Sequence, residues 1–174
     1  IQVYQYRFEW TKAKLDESGS GDYRPYPRGE IVSTVYAKDF PYWTILKEAE
    51  SEEQLPTNVE YLLTVRVVNP EKALFRNAHW LQSVQAEANS VVRNWVGAMS
   101  FEALKTEDVK TGETKTLLTE RVVKLNEMMP GQNIGLNAKY GVEIVGVDIQ
   151  KIQLAMGNEE DAAATTRKYR AQKE

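Results

Sequence analysis

The sequence predicts an α+β fold. An antiparallel-rich β-sheet packs against helices, and its last strand runs into a C-terminal helix that leads out of the domain. Three segments carry this prediction. Val59 to Val68 alternates, with Val59, Tyr61, Leu63, Val65 and Val67 on one face, as a half-buried strand does. Ala78 to Met99 repeats apolar residues mostly at three- and four-residue steps, which gives a helix a broad apolar face. Tyr140 to Leu154 is strand-like again, and Asn158 then opens a polar segment with helix signals.

The elements follow in order. Tyr4, Tyr6, Phe8 and Trp10 alternate with Gln5, Arg7 and Glu9, so residues 1–10 read as a strand. Asp16 to Glu30 is rich in Gly, Ser, Pro and Tyr without an apolar period, and reads as a long loop. Glu30 to Ala37 returns to strand chemistry. Asp39 is placed to cap a short helix with Pro41 in its first turn and Phe40, Trp43 and Leu46 on one stripe. Asn69-Pro70 ends the Val59–Val68 strand and starts a helical turn through Phe75. Ser100 caps a short helix with Phe101 and Leu104. Lys110-Thr111-Gly112 reads as a turn. A second long helix runs from Glu113 to Met129, with Leu118, Val122, Leu125 and Met129 on one face, and Pro130-Gly131 stops it.

The strand from Tyr140 changes phase. Val142 and Ile144 share one face, while Val145, Val147 and Ile149 share the other. A β-bulge near Val145-Gly146 would restore a single apolar face. In the segment after Asn158, Glu159, Glu160 and Asp161 precede Arg167, Lys168 and Arg170, a polarity that complements a helix dipole. Tyr169 is its one large apolar residue, so this helix is poorly suited to burial against its own domain. The domain is therefore drawn as residues 1–156, with 16–57 as its loop-rich part, and residues 157–174 as the start of an oligomerisation helix.

Composition narrows the function classes. A net charge of -3 and a sequence pI near 5.4 argue against a nucleic-acid partner, and there is no basic stripe for phosphates. The chain has no cysteine, so disulfides, thiol nucleophiles and thiolate metal sites are excluded. No apolar run approaches the ~20 residues that cross a bilayer. The chain opens at Ile1 inside a strand pattern and closes at Glu174 inside a helix pattern, so it reads as part of a longer protein.

No catalytic motif is present. The sole histidine, His79, stands at a helix start with no acidic neighbour at helical spacing before Glu87. Carboxylates occur singly or in solvated runs such as Glu48 to Glu53. No cofactor, metal or catalytic residue is assigned, although an acid–base pair assembled from distant sequence stays open. Phe40, Tyr42 and Trp43 form the unusual cluster, either an interfacial or partner patch or core packing against the sheet. The aromatic strand Tyr4–Trp10 reads as a sheet packing surface or as a ligand face.

Two local sequences and their order resemble a known family. One is Tyr61 to Pro70, Y-L-L-T-V-R-V-V-N-P, and the other is Tyr140 to Ile152, Y-G-V-E-I-V-G-V-D-I-Q-K-I. Between them lies Val92 to Leu104, V-R-N-W-V-G-A-M-S-F-E-A-L. Together, from Pro56 to Glu174, they resemble the SPFH or band 7 family of stomatins, prohibitins, flotillins and bacterial membrane-protease regulators. The loop Asp16–Glu30 and the segment Asp39–Gln54 look like additions. Where the family often has a proline before the last helix, this chain has Ala155-Met156-Gly157.

The resemblance implies a non-catalytic, membrane-associated scaffold. Its members are held to a membrane by a segment outside this chain, and the domain itself is the soluble extramembrane part. They self-assemble into large homo- or hetero-oligomers and regulate partners such as membrane proteases. On that reading Glu159, Glu160, Asp161, Arg167, Lys168 and Arg170 are the candidate oligomer interface. The alternative is a soluble peptide- or ligand-binding module that uses the aromatic strand or the Phe40–Trp43 cluster.

Overall fold

The computed structural model of the chain describes residues 5–16, 21–35, 37–155 and 171–172. Among them, strands β1 (Tyr6–Leu15) and β2 (Tyr23–Val32) pair antiparallel as a hairpin sheet. A second antiparallel sheet has the order β3 (Phe40–Glu50), β4 (Pro56–Val67), β5 (Val142–Leu154). Between β4 and β5 come α1 (Pro70–Phe75), α2 (Trp80–Gly97), α3 (Phe101–Leu104), α4 (Asp108–Thr111), α5 (Glu113–Val123) and α6 (Leu136–Tyr140). A 3-10 turn at Lys124–Asn126 follows α5. The fold is α+β, with helices packed on the three-stranded sheet.

The core is a two-layer contact. Val59, Tyr61, Leu63, Val65 and Val67 point from central strand β4 into it, as the alternation predicts. Leu81, Val84, Ala88, Val92, Trp95 and Val96 answer from α2. Leu118 and Val122 of α5 continue the layer, and Leu125 and Met129 extend it past the helix end. The expected apolar stripe from Leu118 to Met129 is thus present, although the α-helix itself stops at Val123.

The phase slip in β5 is resolved by a bulge at the expected place. Thr64 pairs with Gly146 and Val65 with Ile144, so Val145 is the extra residue. Val145 turns outward, 42% exposed, and Val142, Ile144, Val147 and Ile149 all become buried. A second irregularity leaves Gln150 unmatched, since Glu60 pairs with Lys151 and Tyr61 with Ile149.

Several expectations are corrected. Residues 16–57 are not loop-rich, because β2 and β3 lie there. Pro25 and Pro27 discourage a strand reading, yet both fit at a sheet edge. Glu9 O accepts from Gln82 Nε2 at 3.2 Å, so Glu9 faces away from β2. Thr11 and Ala13 share its parity on β1, and they pair with Pro27 and Pro25. The prolines therefore sit on the outer edge of β2, where a missing N–H breaks no ladder bond.

The short helix expected from Asp39 is strand β3, an integral edge of the main sheet rather than an appendage. Pairing of Phe40 to Leu46 with Val59 to Val65 overrides the local helical spacing. Among the described residues of the expected 30–37 strand, only Glu30 to Val32 are strand, at the end of β2. Lys110-Thr111-Gly112 ends α4 instead of forming a free turn. Tyr140 ends α6 rather than starting β5. Residues 1–4, and residues 157–170 of the expected C-terminal helix, lie outside the described residues, while Ala171 and Gln172 are helical.

Candidate functional site

The motif residues 69–70 and 140–141 converge on one joint. Asn69 caps α1, its Oδ1 accepting from Lys72 N at 3.3 Å, with Pro70 in the first turn. Gly141 closes α6 in the left-handed region at φ 69°. The backbone N–H groups of Val68 and Asn69 both donate to Gly141 O, at 2.8 and 2.9 Å. A Cβ on Gly141 would lie 2.4 Å from Asn69 O, so the close approach requires glycine as well as the φ does. Lys72 Nζ donates to Ala138 O at 2.9 Å, which ties α1 to α6 beside the joint.

The aromatic residues form a second assembly. Tyr42 is 2% exposed and Trp43 4% exposed, and Phe40 is half-buried. The candidate patch at Phe40, Tyr42 and Trp43 is therefore not a surface patch. In a strand these neighbours alternate faces, and the sheet register places Tyr42 opposite the buried Leu63. Tyr42 packs edge-on against Phe8 and Trp80, with ring centroids 6.2 and 6.0 Å away. Phe8 stacks between Trp10 at 5.0 Å and Trp80 at 5.6 Å. The aromatic strand thus docks the hairpin onto the N-terminal end of α2.

The docking leaves space. A recess of about 360 Å³ is walled by Tyr6, Phe8, Trp10, Tyr42 and Trp80, with Glu30 at its margin. Phe8 and Trp80 also line a smaller cavity of about 120 Å³ that His79 borders. An open groove of about 540 Å³ runs on another side, between the hairpin, β3 and α2. The indole N–H groups of Trp10, Trp43 and Trp80 are buried with no hydrogen-bond partner among the described residues. The recess is the concave aromatic surface on which a ligand-binding reading depends, although its wall uses Tyr42 rather than Trp43. Sequence alternation marks Tyr6, Phe8 and Trp10 as one face. Nothing in local sequence brings Trp80 to them.

Ionisable groups are arranged as structural ties. Arg66 holds Asp39 in a bidentate pair, with distances of 2.5 and 3.1 Å. The Arg66 hydrogen bond, aided by its charge, keeps the Asp39 carboxyl below the usual carboxylate range. Asp108 is likewise lowered, chiefly by the hydroxyl of Thr114. Burial pushes the Tyr61 hydroxyl strongly upward, and it donates to Asn89 Oδ1 at 2.7 Å. The Glu53 carboxylate is buried in the β3–β4 turn, where it accepts from Ser51 Oγ at 2.9 Å and Phe101 N at 3.1 Å. His79 is an exposed N-cap residue without a side-chain cap bond. Among the described residues no group of three His, Asp or Glu side chains is placed to hold a metal ion. The charged candidates Glu159, Glu160, Asp161, Arg167, Lys168 and Arg170 lie outside the described residues.

Comparison with protein-family models and with curated proteins gives no match for this chain.

Proposed function

We propose that the chain is the extramembrane domain of a membrane-anchored, self-assembling scaffold of the SPFH or band 7 type. It organises or regulates partner proteins, such as membrane proteases, and does no chemistry itself. The joint between Asn69-Pro70 and Tyr140-Gly141 supports the reading. The two motifs behind the resemblance lie far apart in sequence, yet they act as one structural unit. The reading therefore rests on both motifs meeting at one joint. No helix among the described residues is long and apolar enough to cross a membrane, so the reading requires an anchor outside them.

Assembly on this reading runs through the segment after Leu154. Glu159, Glu160 and Asp161 of one subunit pair with Arg167, Lys168 and Arg170 of the next. Sedimentation velocity on the protein with its natural flanking sequence tests both statements. The wild-type protein should form large assemblies, and the Arg167→Glu, Arg170→Glu double variant smaller ones. A wild-type monomer at high concentration would overturn the scaffold. Large assemblies that survive both substitutions would overturn the charge pairing alone.

A further inference from the structure

We draw no further inference here: the strongest candidate, the exposed face of the β1–β2 hairpin that carries Leu15, Tyr23, Pro25, Pro27 and Ile31, is an unpartnered apolar face, and nothing in the structure shows what covers it.

Discussion

Glu48 and Gln54 are non-glycine residues with left-handed backbone, at φ 54° and 63°. Glu48 belongs to a bulge in which Lys47 and Glu48 face Asn58, and its N–H donates to Asn58 Oδ1 at 3.0 Å. Gln54 belongs to the turn into β4, where its N–H donates to Ser51 O at 2.9 Å. The left-handed well costs an L-residue ~1–2 kcal/mol, and glycine escapes that at ~0.5–1 kcal/mol of backbone entropy. Gln54→Gly should therefore raise the unfolding free energy by ~0.5 kcal/mol in urea denaturation, while a decrease would mean its side chain holds the turn. Gly141→Ala should lower stability by ~2 kcal/mol or more, since it adds left-handed strain to a clash with Asn69 O. A neutral result in the same assay would show that the joint relaxes freely. Asp39 has a folded pKa below its unfolded value of ~3.9, so its contribution is complete above that value and fades as pH falls through the folded pKa. The stability gap between the wild-type and Asp39→Asn proteins should be present at neutral pH and shrink toward pH 3. A gap that widens in acid would contradict the Arg66 pairing.

The strands show how side chains finish what backbone pairing leaves open. The free edge of β3 is capped by α2 at successive turns. Gln85 Nε2 reaches Trp43 O at 3.5 Å, Asn89 Nδ2 reaches Ile45 O at 3.4 Å, and Arg93 reaches Lys47 O at 3.4 Å. These three residues read in sequence only as the polar side of an amphipathic helix, since no local pattern says that a sheet edge lies beside them. Pro41 shares the outward parity of Ile45 and Lys47, so its missing N–H costs β3 no ladder bond. The free edge of β5 is capped by one residue. Ile144 N donates to Asn126 Oδ1 at 2.7 Å, and Asn126 Nδ2 donates to Ile144 O at 2.9 Å, as a neighbouring strand would. Asn126→Ala removes both bonds beside the buried Ile144 and should cost ~2 kcal/mol. Thermal and urea unfolding check it, and a change below ~0.5 kcal/mol would show that water replaces the amide. These caps and the edge prolines of β2 remove some of the backbone groups that another chain's strand could pair with.

At the scale of the molecule, the hairpin and the main sheet are unequal partners. The three-stranded sheet is covered by α2 and α5, whereas β2 is exposed along nearly its whole length. A two-stranded hairpin is marginal alone, so β1 and β2 depend on the seam formed by Phe8, Trp10, Tyr42 and Trp80. That seam is interrupted by the recess and by unpaired indole donors. Hydrogen exchange should therefore open the hairpin amides at a lower free energy than those of β4, as a separate unit. Equal protection of β1 and β4 would show that the seam couples them into one cooperative block.

The sequence by itself determined the elements whose apolar period matches their environment. The buried face of β4, the stripe of α2 and the β5 bulge near Val145-Gly146 follow from spacing, because one face meets the core and the other does not, and the Ser100 cap follows from its hydroxyl. The tertiary structure decided the rest. Tyr23–Val32 is a strand because the outer edge of a hairpin tolerates Pro25 and Pro27. Phe40–Glu50 is a strand because β4 offers it a partner along its length, and that pairing outweighs helical spacing. The aromatic residues became a recess rather than a surface patch because α2 delivers Trp80 to the hairpin from far along the chain. Local pattern records what a residue prefers, and only the assembled fold fixes which distant neighbours meet that preference.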